Sequence, residues 1–309
     1  MAPLNKNKGL LTLFDYSPEE IAGLLTSALA VKRKRFSSDP KAFKDKTGVL
    51  IFEKPSLRTR ITFETAIYEL GGHAIYLASD SVQMGKRESV KDVAKNLERW
   101  VHLIIARTYL HQTVVDLAAH SSIPVINALS DKFHPCQALA LGCTLRERLG
   151  DAKDVSIVFV GDGNNVCHSL MVLAAKLGYR FTAIGPKGYE PDPAVVRQCR
   201  AVAKETGASI NVSNDLAAVR RADVIYTDVW TSMGQEKEAA IRKKRFAPFQ
   251  VNAKLLSSAP AGALVSHCLP AHRGEEITSE VLDSDRSIAL DEAENRLHVQ
   301  KAIIVHLFS

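Results

Sequence analysis

Nine short apolar runs, separated by stretches long enough to be helices, constrain this chain more than any other feature. The first four are Thr47 to Phe52, Ala74 to Leu77, Leu103 to Ala106 and Pro124 to Asn127. The other five are Val155 to Val160, Arg180 to Ile184, Ser209 to Val212, Val224 to Thr227 and Ala263 to His267. Between them lie helical patterns such as Val90 to Trp100 and Val114 to His120, and a helix running from just past Asn165 to Leu177. Strands alternating with helices predict parallel sheets flanked by helices, the α/β class. At 309 residues the chain is expected to form two such domains rather than one. A further helix is expected from Ser17-Pro18-Glu19-Glu20, a capping-box pattern, to about Arg35.

In parallel sheets, ligands sit outside the carboxyl ends of the strands. Those ends carry the chain's most reactive residues. After Thr47 to Phe52 comes Glu53-Lys54-Pro55-Ser56-Leu57-Arg58-Thr59-Arg60, followed by apolar residues at helical spacing from Ile61 to Leu70 and then Gly71-Gly72. A helix N-terminus offers unpaired N–H groups and the positive end of the helix dipole, a natural seat for phosphate. Ser56 and Thr59 can add hydroxyl donors, and Arg58 can fork onto phosphate oxygens. The same residues would also make an ordinary Ser-capped helix with solvated arginines. Asp228 follows the eighth run, Cys268 the ninth, and Asn165 lies just past the fifth.

Composition excludes several classes. The chain is 46% hydrophobic and 24% charged with a formal net charge of +6, an ordinary globular balance with a mild excess able to steer anions. No basic run interleaved with aromatics argues for nucleic acid, and Arg242-Lys243-Lys244-Arg245 reads as a solvated face. Five scattered cysteines without a Cys-x-x-Cys pair predict free thiols in a reducing compartment. No segment is apolar enough to span a membrane, and Met1 to Gly9 has no signal core, so a cytoplasmic protein is expected. Gly161-Asp162-Gly163-Asn164-Asn165 superficially matches a dinucleotide loop. It lacks the third glycine, and Gly185-Pro186-Lys187 offers no acidic partner for a ribose. His267, Cys268 and His272 lack a fourth ligand for structural zinc. No metal and no cofactor are expected.

With the Ser56-Leu57-Arg58-Thr59 box, three further motifs follow in order: His134-Pro135-Cys136-Gln137, Asp228-Val229-Trp230-Thr231-Ser232-Met233-Gly234 and His267-Cys268-Leu269-Pro270. This set resembles the aspartate/ornithine carbamoyltransferase family over nearly the whole chain, and the last two motifs resemble its ornithine branch. The resemblance implies two domains joined by linking helices across an active-site cleft. It places residues 1–133 in a carbamoyl-phosphate-binding domain and 134–292 in an ornithine-binding domain, with a terminal helix at about 293–309 packing back on the first. It implies transfer of the carbamoyl group of carbamoyl phosphate to the δ-amine of L-ornithine, giving L-citrulline and phosphate, in arginine metabolism and with a biosynthetic role expected. It also implies a homotrimer with sites shared between subunits.

Residue roles follow from the same resemblance. Ser56, Leu57 (through its backbone N–H), Arg58 and Thr59 would hold phosphate, and Gln83 would reach in from a neighbouring subunit. Arg107 would contact phosphate and carbonyl oxygens, His134 would donate to the carbonyl oxygen, and Gln137 would hold the carbamoyl amide. Cys268, Leu269 and Arg296 complete the carbamoyl-phosphate set, and Arg107, His134, Cys268 and Arg296 are the expected catalytic residues. Asn165 and Met233 would serve the α-carboxylate of ornithine, and Asp228 and Ser232 its α-ammonium. Cys268 with Asp228 would favour the neutral δ-amine. Two positions depart from the family pattern. Leu57 stands where many ornithine enzymes have threonine. Leu141 stands where an acid is common, which leaves the orientation of His134 without that support. Putrescine and N-acylornithine remain as alternative acceptors, and a non-catalytic carbamoyl-phosphate-binding subunit as an alternative role.

Overall fold

The structure, a computed structural model, describes residues 9–35, 42–78, 84–85, 87–232 and 234–308. Gln83 and Met233 lie outside the described residues. Two compact units form, Met1–Cys143 with Glu294–Ser309, and Thr144–Ala293.

The first unit holds a four-stranded parallel sheet of order β2-β1-β3-β4. Its strands are β1 (Thr47–Phe52), β2 (His73–Leu77), β3 (Leu103–Arg107) and β4 (Val125–Leu129). Every residue of β3 is buried, as expected for a strand covered on both faces, whereas no residue of edge strand β2 is buried. Val49, Ile51, Ile104 and Ala106 point into one apolar cluster with Val93, Leu97, Val114 and Leu117. These last four come from helices α3 (Val90–Trp100) and α4 (His111–His120). Strand order reverses at β1, with β2 on one side and β3 on the other, which opens a crevice at the carboxyl ends of β1 and β3. In that register Phe52 is the partner of Arg107, and the Glu53 N–H donates to the Arg107 carbonyl at 2.8 Å.

Local chemistry sets the helix starts. Helix α1 (Pro18–Arg33) opens on the expected capping box, with Ser17 and Glu20 exchanging side chain and backbone bonds. Helix α2 (Leu57–Glu69) begins at Leu57, a turn before its apolar repeat, because Ser56 accepts from the Thr59 N–H. Helix α5 spans Pro135–Leu149. The expected division at 133/134 marks its start, and the boundary between the compact units falls inside it.

The second unit holds a five-stranded parallel sheet of order β7-β6-β5-β8-β9. Its strands are β5 (Ser156–Val160), β6 (Arg180–Ile184), β7 (Ser209–Ser213), β8 (Val224–Thr227) and β9 (Leu264–His267). Here the order reverses between β5 and β8, so a second crevice opens at the ends that carry Gly161 to Asn165, Asp228 and Cys268. Helix α6 (Asn165–Leu177) is buried almost all round and stops at Gly178, which takes the left-handed conformation at φ 75°. Helices α7 (Pro193–Thr206), α8 (Ala239–Phe246), α9 (Ala253–Ser257) and α10 (Ser279–Leu282) complete the layers.

The last helix, α11 (Ala289–Phe308), starts about one turn before the expected position, and from Glu294 onward it belongs to the first unit. There Lys301, almost wholly buried, pairs with Glu69 at 2.8 Å, and Phe308 meets Phe43 edge-on at 4.8 Å. Among the described residues no helix is long and apolar enough to cross a membrane.

Candidate active site

In the first unit the chain converges on Arg296. This residue is 2% exposed. One terminal nitrogen donates to Gln137 Oε1 at 2.5 Å and the other to Thr59 Oγ1 at 3.1 Å. Three segments far apart in sequence are thereby brought together: the start of α2, the first turn of α5 and α11. Thr59 is itself buried and its hydroxyl also lies 3.1 Å from Ser56 Oγ. Ser56 and Thr59 thus face the N-terminus of α2, whose first turn contains no acid. Leu57 leaves its side chain 74% exposed, so only its backbone can serve a ligand there. Arg60 points elsewhere: it lies 3.7 Å over the Tyr76 ring and pairs with Glu64.

Arg107 is buried at the end of β3, the carboxyl end of a strand beside the reversal point. His134 caps α5, its carbonyl accepting from the N–H groups of Gln137 and Ala138. Its ring is wholly enclosed. Burial, then the Arg296 and Arg107 guanidinium groups, push its pKa well below the usual imidazole range. His134 is therefore a neutral hydrogen-bonding group at physiological pH, set between two permanent cations. Leu141 is wholly buried on α5 as part of the core, where an unpaired acid would be costly. Cys136 is also buried, with its thiol pushed up to about 11 by burial, the mark of an inert thiol.

The second unit gathers a different kind of cluster. Asp228 is 5% exposed and has three donors. Asn164 Nδ2 donates to Oδ2 at 2.7 Å, while the Cys268 thiol and the Val229 N–H each donate to Oδ1 at 2.8 Å. Asn164 also caps α6, accepting from the N–H groups of Val166 and Cys167. Asn165, the residue expected to serve the α-carboxylate, opens α6 half-exposed, beside the Asn164 that bonds to Asp228. The asparagine just before a helix, the ordinary N-cap signal, would have found it.

Cys268 sits on a braced turn. The Leu269 N–H donates to His267 Nδ1 at 2.8 Å, so the His267 proton lies on Nε2 and is donated to Glu276 Oε1 at 3.0 Å. The same oxygen accepts from the His272 N–H. Leu269 takes φ 55°, a left-handed conformation uncommon for a branched residue and typical of ligand-binding turns. Asp228, His267 and Cys268 hold their donor atoms within 4.8 Å of one another. Both ring nitrogens of His267 are engaged by Leu269 and Glu276, so the group is first a hydrogen-bonded brace.

The segment after Asp228 is anchored below and open above. Trp230 is buried and stacks on Phe246, and its carbonyl accepts from Arg242 at 3.0 Å. Arg242 pairs with Asp162 at 3.0 Å and with Glu238 at 2.9 Å. This corrects the reading of Arg242 as part of a solvated basic face: it is 6% exposed, while its neighbours Lys243 to Arg245 are exposed. Burial pushes the Asp162 carboxyl up to about 6 against the pull of Arg242. Beyond Trp230, Ser232 is half-exposed and Gly234 takes φ 97°, which suits glycine. Gly163 has a packing reason of its own, since a Cβ there would lie 2.2 Å from the Pro191 nitrogen. That accounts for a glycine of the apparent dinucleotide loop without a dinucleotide.

The carbamoyl-P binding domain of aspartate/ornithine carbamoyltransferase matches residues 8–147, and the Asp/Orn binding domain matches residues 153–307. This chain belongs to the aspartate/ornithine carbamoyltransferase family. It is 50% identical over 304 residues to an ornithine carbamoyltransferase of Pyrococcus horikoshii, covering 98% of this chain and 96% of the relative. Among solved structures it is similar to the ornithine carbamoyltransferase of Pyrococcus furiosus, with a TM-score of 0.94 and 48% identity, covering 98% of this chain and 97% of that one. It is also similar to the anabolic ornithine carbamoyltransferase of Campylobacter jejuni, with a TM-score of 0.92 and 39% identity, covering 97% and 98%.

Proposed function

We propose that this protein transfers the carbamoyl group of carbamoyl phosphate to the δ-amine of L-ornithine, forming L-citrulline and releasing phosphate. The observation that carries the reading is the Asp228–Cys268 bond at the ends of adjacent strands, in a chain whose other unit presents a cation-rich anion seat. An acid and a thiol side by side suit an amine acceptor; they offer no cation for the second carboxylate of aspartate.

On the donor side, the N-terminus of α2 with Ser56, the Leu57 N–H, Arg58, Thr59 and Arg107 holds the phosphate. Neutral His134, Arg107 and Arg296 donate to the carbonyl oxygen, where charge builds as the amine attacks. Gln137 Oε1 accepts from the carbamoyl amide, and Arg296 fixes that oxygen in place. The Leu269 turn adds a backbone carbonyl beside Cys268. On the acceptor side, Asn165 and the Met233 backbone bind the α-carboxylate, and Asp228 and Ser232 the α-ammonium. Cys268, held by Asp228, meets the δ-amine without offering it a counter-charge, which favours the uncharged nucleophile. The amine nitrogen bonds to the carbonyl carbon, the carbon–oxygen bond to phosphate breaks, and the proton lost from nitrogen leaves on phosphate.

We assign the reaction to arginine biosynthesis in the cytoplasm and the active form to a homotrimer in which Gln83 serves a neighbouring subunit. A naked apolar stripe supports the assembly: Leu57, Ile61 and Tyr68 on one side of α2 are 74%, 51% and 78% exposed. Light scattering at enzyme concentrations used for assays tests it, and a monomer with full activity would rule it out. The reaction itself is tested with carbamoyl phosphate and L-ornithine, putrescine, N-acetylornithine or L-aspartate, each assayed for its own carbamoylated product. Preferential citrulline formation is expected. Preference for another amine, or binding of carbamoyl phosphate without turnover, would contradict the assignment.

A further inference from the structure

Glu292 is wholly buried at the first turn of α11, and nothing in the reaction as described uses it. Its carboxyl group bridges two strands. Tyr226 of β8 donates its hydroxyl to Oε1 at 2.8 Å, and Ser266 of β9 donates to Oε2. Both donors are wholly buried and are direct register partners in the sheet. Two residues further along the chain from each donor, just past the ends of β8 and β9, come Asp228 and Cys268. There the Cys268 thiol donates to Asp228 at 2.8 Å, directly after the last register pair, Thr227 with His267.

A buried carboxyl group is a costly way to join two strands; a pair of apolar side chains would do it for less. Its position in the first turn of a helix lowers the cost, because the helix dipole favours an acid there. What the carboxyl adds over apolar packing is direction. Each oxygen fixes one hydroxyl, so the separation and stagger of β8 and β9 are set just before the strands deliver the acid and the thiol. Tyr226 is electrostatically coupled to Glu292, Cys268 and Asp228 together, as expected if both pairs lie in one buried cluster; burial first, then these groups, hold its phenol well above the usual range.

We infer that Glu292 is a positioning residue: through Tyr226 and Ser266 it fixes the Asp228–Cys268 pair in the geometry that receives the acceptor amine. The kinetic part of this inference rests on the reaction proposed above; the thiol part does not.

The test uses the whole protein with Tyr226→Phe, Ser266→Ala, their combination and Glu292→Gln, with Ser266→Thr as the conservative control. Cys268 is the natural probe, since it is half-exposed and the other four cysteines are buried. Alkylation of Cys268 by iodoacetamide, followed by peptide mass analysis across neutral to mildly alkaline pH, reports whether Asp228 still engages the thiol. The double variant should alkylate about fivefold faster than the parent, as expected for a thiol released from its acceptor. Its kcat/KM for ornithine should fall about tenfold while KM for carbamoyl phosphate stays within about twofold. Ser266→Thr, which keeps the hydroxyl, should behave as the parent. If the variants lose thermal stability yet alkylate and use ornithine as the parent does, Glu292 is only a strut and the inference fails. Altered alkylation with no ornithine turnover in any form, the parent included, would uphold the positioning role and refute the proposed reaction instead.

Discussion

The two strand-end crevices are built alike and furnished differently. Each lies where the strand order of a parallel sheet reverses. The first is lined by buried guanidinium groups, Arg107 and Arg296, around a histidine kept neutral. Its polar groups are locked by bonds that join segments 159 and 237 residues apart. The second is centred on a carboxylate, Asp228, with a thiol and an amide as partners, and it leads to the half-exposed Ser232 and the exposed Gly234, whose N–H groups donate to the nearby Gln235 and Glu236 side chains. A fixed cationic seat suits an anionic donor common to a whole enzyme family. An acidic cluster beside a more open loop suits the variable partner, the amine. The fold supplies the position in both cases, and the residues at the strand ends decide the ligand.

This contrast can be broken by substitution. The largest effect is expected at Arg296. Arg296→Ala removes the proposed transition-state donor and its bonds to Gln137 and Thr59, so kcat should fall on the order of 10²–10³-fold, measured by steady-state citrulline formation. Arg58→Ala should raise KM for carbamoyl phosphate by about tenfold or more with the thermal transition unchanged, because Arg58 lies half-exposed on the helix surface. Asp228→Asn should lower kcat/KM for ornithine about 10²-fold and leave carbamoyl phosphate affinity within about twofold. A structural control sharpens the reading of Leu141: Leu141→Ala should cost about 2–5 kcal/mol in denaturant unfolding, as for other wholly buried leucines, whereas an exposed orienting position would cost little.

The smallest effect concerns pH. His134 has a folded-state pKa below its unfolded value, so below about pH 6.5 the unfolded chain binds the proton more readily. The stability this residue contributes is complete above that pH and is lost as pH falls toward the folded-state value. Burial depresses His111, His298 and His306 in the same direction. Urea unfolding of the parent should therefore weaken as pH falls below about 6.5, and His134→Gln should flatten part of that slope. An unchanged slope would show that His134 is not buried neutral.

Much of this was legible in the sequence because the signals are local. Continuous apolar runs mark β3 and β8 without help from the rest of the chain, and Ser17-Pro18-Glu19-Glu20 marks the start of α1. Helix starts were less legible where the first turn is polar. Ala289 to Glu292 carry no clear apolar stripe, so α11 begins earlier than expected, whereas Ser56 alone marks the start of α2. Residues whose importance depends on distant partners were the least legible. Nothing near Arg242 in sequence announces Asp162, eighty positions earlier, and nothing near Glu292 announces Tyr226 and Ser266. Asn164 is not distinguishable from Asn165 in the sequence, because two adjacent asparagines differ only once the helix has a definite first residue.

The central claim is that the donor is held mainly by Arg296, Arg107 and the start of α2, and the acceptor mainly by the Asp228 cluster. Calorimetric titration of freshly prepared carbamoyl phosphate into the parent, Asp228→Asn and Arg296→Ala tests it most directly. The account predicts that Asp228→Asn binds with a Kd within about twofold of the parent while Arg296→Ala binds at least about tenfold more weakly. Equal weakening in both variants would contradict it.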